Sequence, residues 1–381
     1  MTDERIETRL VRAGWEPDAE TGAVTPPIQM STTFKQDGVG RTRSGFEYGR
    51  SDNPTRRALE AAIAELEGAR HGLAFASGLA ATQNLFYLLS PGERILMIDD
   101  AYGGTYRLAH AVWERYGIAV DYVDMRDVDA VRGAVRDETR MVWIESPSNP
   151  LLKVVDVEAI AQVARAAGAL SVVDGTFTSP YLQRPLELGA DVVLHSATKF
   201  IGGHSDVIGG LIATSDEAVA EQLRFHQNAA GAVPSPFDCW LVLRGMRTLA
   251  LRMERQCASA ARIARWLTGR SDVARVHYPG LADGPPRELV ERQMRLPGAI
   301  VSFELRGGED AARRFAGATR IFTLAESLGA VESLIEVPAA MTHASVAESP
   351  LAVPGGLIRL SVGIEHVDDL IGDLEAAFRS A

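Results

Sequence analysis

The sequence predicts an α/β fold: a mostly parallel sheet as the main domain, an N-terminal arm before it and a smaller C-terminal α+β domain after it. Three observations carry this. Short apolar runs alternate with helical segments from about residue 56 to 235. The first 55 residues are rich in Gly, Pro, Thr and Arg and show little periodicity, reading as an extended arm. After Pro234-Ser235-Pro236 the pattern changes to a long helical stretch followed by alternating strands. At 381 residues the chain exceeds the size at which a single core usually stops growing. The expected division is therefore an arm at 1–55, a main domain at 56–235 and a second domain at 236–381.

Taken in order, the arm is of the kind that reaches a neighbouring subunit. Residues 54–66 then read as helix, 73–76 as strand, 79–89 as helix and 94–98 as strand. Residues 141–144, 170–173 and 192–194 continue the series as short apolar strands, and strands separated by helices imply a parallel sheet covered on both faces. Beyond it, 237–267 reads as helical, 300–305 and 357–362 as strands, and 368–378 as a closing amphipathic helix.

Composition narrows the function. The formal charge of −11 argues against a nucleic-acid or anionic-membrane surface, which needs clustered Lys and Arg. No apolar run approaches membrane-spanning length, and the charged start Met1-Thr2-Asp3-Glu4-Arg5 has no apolar segment behind it. Cys239 and Cys257 are too few for a disulfide framework and too isolated for a metal cluster, which suits buried, inert thiols in a reducing cytoplasm. Lys35, Lys153 and Lys199 are the only lysines. A chain that otherwise writes positive charge as arginine raises the question of what a guanidinium cannot do, and imine chemistry is one answer.

In open parallel sheets ligands bind beyond the carboxyl ends of the strands. Polar residues collect there: Ser77-Gly78, Asp99 to Tyr102, Glu145 to Asn149, Asp174, then Ser196, Thr198 and Lys199. Ser77-Gly78-Leu79 opens a helix straight after a strand, which makes either a phosphate seat or a plain N-cap. Ser196 and Thr198 add hydroxyls, and Tyr48-Gly49-Arg50 in the arm offers an arginine fork with a phenol. Asp174 is either a capping aspartate or the partner of a pyridine nitrogen, whose protonation makes the ring an electron sink. Lys199 follows an apolar strand near these hydroxyls, where desolvation lowers its pKa toward that of an imine-forming nucleophile. Arg359 faces outward or clamps an α-carboxylate, and Tyr102 is a core tyrosine or a ring stacked on a ligand. His204 and His343 lack a second ligand at metal spacing and read as structural.

Four segments give these residues a family context: Tyr48-Gly49-Arg50-Ser51-Asp52-Asn53-Pro54-Thr55, Phe75-Ala76-Ser77-Gly78-Leu79-Ala80-Ala81, Asp100-Ala101-Tyr102-Gly103-Gly104-Thr105-Tyr106-Arg107, and Ser196-Ala197-Thr198-Lys199-Phe200 followed by Gly203-His204-Ser205-Asp206. With them the chain resembles, over essentially its whole length, the cystathionine lyase and synthase family of fold-type I pyridoxal-phosphate enzymes, aspartate-aminotransferase-like in fold. The resemblance implies pyridoxal 5′-phosphate as cofactor, with Lys199 forming the imine, Asp174 on the pyridine nitrogen and Tyr102 stacked on the ring. Ser77, Gly78, Leu79, Ser196 and Thr198 would hold the phosphate. Tyr48 and Arg50 would reach the phosphate of the neighbouring subunit, giving a homodimeric active unit usually paired into a homotetramer.

The same resemblance places Asn149, Ser327 and Arg359 on the carboxylate of an amino-acid substrate. Glu47, Glu326 and Arg107 would complete the substrate site, the two carboxylates suiting the distal ammonium of cystathionine. The implied reaction is γ-elimination from cystathionine to cysteine, 2-oxobutyrate and ammonia. Alternatives are γ-replacement on O-succinyl- or O-acetylhomoserine, a secondary-metabolic variant, or methionine γ-lyase activity. Gly104, where methionine γ-lyases usually carry cysteine, counts against the last. A catalytically silent cofactor-binding protein is opposed by the intact Lys199, Asp174, Tyr102 and Arg359 set. A nicotinamide oxidoreductase is opposed by the lack of a Gly-x-Gly-x-x-Gly turn after any strand. Two departures from the family pattern stand out: Gly175 in place of Asn after the ring aspartate, and Gln256 in place of a common histidine.

Overall fold

The computed structural model describes residues 4–343, 349 and 351–380. In the arm, β1 (Gln36–Gly38) and β2 (Arg41–Thr42) form a small hairpin. The large sheet contains β3 (His71–Phe75), β4 (Arg94–Ile98), β5 (Ala119–Val123), β6 (Thr139–Glu145), β7 (Leu170–Asp174), β8 (Val192–Ser196) and β9 (Gly210–Thr214), in the spatial order β3-β9-β8-β7-β6-β4-β5. Strands β4 to β8 are mutually parallel, and β9 runs against both of its neighbours. All the parallel carboxyl ends therefore open on one edge. The inner strands are apolar because helices cover both faces; Trp143, Phe75 and Phe86 have no exposed surface.

The second sheet contains β10 (Val273–His277), β11 (Ile300–Leu305), β12 (Thr323–Leu324), β13 (Leu334–Glu336) and β14 (Leu357–Ser361), in the order β10-β11-β14-β13-β12. It packs on the outer half of the helix Leu249–Thr268 and on the closing helix Val367–Phe378 through Ile263, Leu267, Phe303, Phe315 and Leu374.

Local chemistry sets the elements. The helix Pro54–Glu67 begins at Asn53, whose side chain accepts from the Thr55 and Arg56 amides, has proline in its first turn, and stops at Gly68 with φ of 70°. Ser77 caps the helix Gly78–Phe86 through the Ala80 amide.

Three expectations change. The stretch expected as one long helix is two, Pro236–Met246 and Leu249–Thr268, because buried Arg252 donates to the Gly245 carbonyl at 2.8 Å and takes the acceptor a continuing helix would use. The arm is not uniformly extended: Ile6–Arg12 is helical, and Leu10, Ala13 and Trp15 are buried against Leu59 and Ala62. Finally, β5 and β9 were not expected. Asp121 interrupts the apolar pattern of β5, an edge strand where it pairs with Arg94 at 2.8 Å, and β9 is a short run that begins on glycine.

Candidate active site

A cavity of about 460 Å³ lies where the strand ends of the large sheet meet the loop 325–330 and β14. Ser77, Gly78, Leu79, Tyr102, Asn149, Asp174, Ser196, Thr198, Lys199, Glu326, Ser327 and Arg359 all line it. Twelve residues singled out from the sequence thus line one cavity. Glu47, Tyr48, Arg50 and Arg107 do not: all four are exposed. Tyr48 and Arg50 sit on a turn fixed from behind by buried Arg56, which donates to the carbonyls of Gly49, Arg50 and Ser51. The Arg50 guanidinium lies 5.6 Å from the Tyr48 ring centre.

One end of the cavity is built for an anion. The amides of Gly78 and Leu79 belong to the first turn of a helix, where no helical acceptor precedes them, and the helix dipole adds positive potential. Gly78 fits a tight place, since a Cβ would sit 3.0 Å from Ser196 Cβ and Oγ and the serine would have to give way. Thr198 Oγ1 accepts from the Gly209 amide at 3.1 Å, which places its hydroxyl beside Ser196.

The floor holds two adjacent carboxylates, Glu145 and Asp174, which are register partners at the ends of β6 and β7. Burial raises Asp174 above the usual carboxylate range, while Thr176, whose amide donates at 2.9 Å, and the His195 imidazole act in the opposite sense. Burial, then the Asp174 charge, pushes Glu145 well upward; Glu145 accepts from the Tyr102 amide at 3.1 Å and from the Trp143 indole at 3.2 Å. The Glu145 contact positions the backbone of Tyr102, whose ring packs over Gly104. A Cβ at residue 104 would lie 2.4 Å from Tyr102 Cε1. Burial also raises the Tyr102 phenol.

Lys199 sits in the turn after β8, and its Nζ donates to Ser327 Oγ at 2.7 Å. Burial, and then the Arg359 guanidinium, bring its amine down to about 8, against the opposing pull of Glu336 and Glu326. The loop carrying Ser327 is locked in place. Gly329, with φ of 83°, lies against the Lys199–Phe200 peptide, where a Cβ would meet Phe200 N at 2.6 Å. Ser327 itself holds φ of 92°, a conformation costly for a non-glycine residue. Arg359 Nη1 donates to Asn149 Oδ1 and Nη2 to the Ser327 carbonyl, both at 2.9 Å, while Nε has no protein partner.

The two departures acquire physical reasons. A Cβ at Gly175 would lie 2.7 Å from His195 Cε1, so the imidazole fills the space of a side chain there. Gln256 is fully buried, and its Nε2 donates to the Ala330 carbonyl at 2.7 Å, tying the helix Leu249–Thr268 to the loop that carries Glu326 and Ser327. Thr176 and Thr342 also line the cavity, Glu336 pairs with Arg359 behind it, and all three were passed over in the sequence. Each becomes visible only once a strand register or a turn is known. Glu145 stood among the strand-end residues, but without a role.

Fold and cavity together define the class: a fold-type I pyridoxal-phosphate enzyme. Residues 7–379 match the family described as Cys/Met metabolism PLP-dependent enzyme, and the chain belongs to that family. It is 53% identical over 371 residues to a cystathionine γ-synthase of Mycobacterium tuberculosis (strain H37Rv), covering 97% of this chain and 96% of the relative. With a cystathionine β-lyase of Coxiella burnetii it shares 49% identity over 377 residues, 98% of this chain and 97% of the relative. Among solved structures, metB from Corynebacterium glutamicum superposes with a TM-score of 0.97 at 48% identity, covering 99% and 98% of the two chains. A cystathionine γ-lyase from Lactobacillus plantarum complexed with L-serine gives 0.95 at 46% identity, covering 99% of each.

The cofactor of the family is pyridoxal 5′-phosphate. The residues present fit it. Asp174 is a buried carboxylate that takes hydrogen bonds from Thr176 but forms no ion pair among the described residues, so it suits a cationic ring nitrogen. The Gly78 close approach leaves backbone room for a phosphate, and Lys199 offers an amine of lowered basicity. Among the described residues, no group of His, Cys, Asp and Glu could hold a metal ion, and no helix is long and apolar enough to cross a membrane.

Proposed function

We propose that this enzyme breaks or makes a carbon–sulfur bond at the γ-carbon of an amino acid, with L-cystathionine as its bound ligand, and that elimination to cysteine, 2-oxobutyrate and ammonia is its principal reaction. The observation that carries this reading is the shared placement of Arg359 and Glu326 on the wall around Lys199. A guanidinium lining the cavity suits an α-carboxylate, and a carboxylate lining the same cavity suits a second, distal ammonium. Cystathionine carries both.

The bound cofactor supplies an electrophilic carbonyl carbon and a ring that stores electron pairs released at the substrate's α- and β-carbons. The chain supplies the rest. Asp174 keeps the ring nitrogen protonated. Arg359, steadied by Asn149 and the Ser327 carbonyl, orients the α-carboxylate. Lys199 takes the α-proton and delivers protons at neighbouring carbons, for which a basicity near 8 suits both tasks. Tyr102, which lines the same cavity, serves as a second proton carrier. Ser327 Oγ holds Lys199 Nζ where the α-carbon arrives.

A second reading is γ-replacement, joining cysteine to O-succinyl- or O-acetylhomoserine, and it is favoured by the 53% identity to a cystathionine γ-synthase. The purified enzyme is assayed with cystathionine alone, then with each ester plus cysteine, and products are identified by mass. Release of 2-oxobutyrate from cystathionine faster than its synthesis from either ester supports elimination; the reverse order transfers the assignment to replacement. Tyr48 and Arg50 point to a homodimeric active unit, and their loss from the partner's site is tested by mixing R50A and K199A subunits and looking for recovered turnover.

A further inference from the structure

Glu336 ends β13 directly opposite Arg359 of β14 in the antiparallel register. The two form an ion pair at 3.0 Å, with side chains 1% and 2% exposed. Thr342 Oγ1 donates to Glu336 Oε1 at 2.8 Å, and Oε2 has no protein partner. On the far side of the guanidinium stand Asn149 and the Ser327 carbonyl. The other charged or titratable groups acting here are Lys199, Glu326, Tyr102 and His343. Burial raises Glu336 from the ordinary carboxylate range, and Arg359 and Thr342 oppose that rise.

A lone guanidinium beside a cavity would attract any small carboxylate, including a released 2-oxo acid. A paired one does not. We infer that Glu336 is the resting counter-ion of Arg359 and a specificity residue of the site: it offsets the guanidinium from the sheet side, so carboxylates that carry no amino group remain weak ligands. This rests on the reading that Arg359 takes the substrate α-carboxylate. Affinity for the true substrate then comes from the carboxylate contact together with engagement of its amino group. Glu336 touches neither reacting atom, so it is a positioning residue that acts through Arg359.

The test uses the holoenzyme and propionate, a carboxylate without an amine, with binding measured by calorimetry. The Glu336→Gln variant keeps the side-chain size and an acceptor for Thr342 but removes the charge. It should bind propionate about tenfold more tightly than the parent, since the charge paired with Arg359 is lost. The same loss should lower the midpoint of the pH titration of the visible absorbance, because a negative charge that favours the protonated form of the Lys199 nitrogen is removed. Thr342→Val, which withdraws the hydrogen bond to Glu336, should move both readouts the same way by about two- to threefold, and serves if E336Q does not fold. Arg359→Gln separates the two ideas. If R359Q binds propionate as the parent does, the carboxylate role of Arg359 is wrong. If R359Q loses binding while E336Q and T342V leave affinity and midpoint unchanged, only the counter-ion inference is overturned.

Discussion

The two walls of the cavity are built by different means. The large-sheet wall meets its ligand with helix amides, hydroxyls and two buried carboxylates, none of them in an ion pair among the described residues. The wall from β13, β14 and the loop 325–330 meets it with a buried Arg359–Glu336 pair and a strained serine. The difference teaches that a resident group and a passing one ask for different electrostatics. A cofactor that stays can be the counter-ion of its own site, and on the proposed reading Asp174, which has no ion pair among the described residues, is left for the ring nitrogen. A substrate that must leave is better met by a charge already offset.

The comparison breaks most completely at the residue both walls share. Replacing Lys199 with Ala should lower turnover by at least about a thousandfold, because covalent attachment and proton transfer are lost together; spectra of the cofactor-saturated protein should lose the band of the lysine-bound form. A variant that kept its turnover would remove the basis of the proposed chemistry. On the substrate wall, Arg359→Lys should raise KM by about tenfold or more, with a much smaller change in kcat, since an ammonium cannot reproduce the planar fork held by Asn149 and Ser327. Equal losses in both constants would instead assign Arg359 to the transition state.

Gly104→Cys sharpens the picture on the cofactor side. The added Cβ would fall 2.4 Å from Tyr102, so the ring must shift, at a cost of about 1–3 kcal/mol to folding. Thermal unfolding compared with and without cofactor should show the loss. The smallest expected effect is in pH. With the Lys199 amine at about 8 when folded and 10.5 as the ordinary value, the unfolded chain binds a proton the folded one has shed between those limits. Stability of the cofactor-free protein from this residue therefore rises with pH across that window, and below about 8 its full penalty is present. Denaturant titrations across the window should show the stability of the parent rising relative to that of Lys199→Met as pH increases, since the buried cysteines and tyrosines titrate alike in both.

The two walls also differ in how far the sequence discloses them. Ser77-Gly78, Asp174 and Lys199 follow apolar runs directly, so local pattern places them at strand ends, and β3, β4, β6, β7 and β8 fall within a residue or two of expectation. Glu336 follows Leu334-Ile335 in the same manner, but its meaning depends on a pairing with a residue 23 positions later, which local pattern does not encode. Gln256 was noticed as a departure without a role, because its partner, the Ala330 carbonyl, lies in a distant loop. Glu47, Tyr48, Arg50 and Arg107 were legible as motif residues, yet within one chain they are exposed and do not line the cavity.

Gly329 rests on the peptide that follows Lys199 as a key rests in its ward. The segment that reads the substrate and the segment that carries the reactive amine are therefore inherited as one fitted part. A loop transplanted from a relative to alter preference will seat only if it brings glycine at this position. Variation that reshapes this wall while sparing the amine must fall on the side chain of 326 or on the strand behind the loop, because the 327 hydroxyl holds Lys199 Nζ.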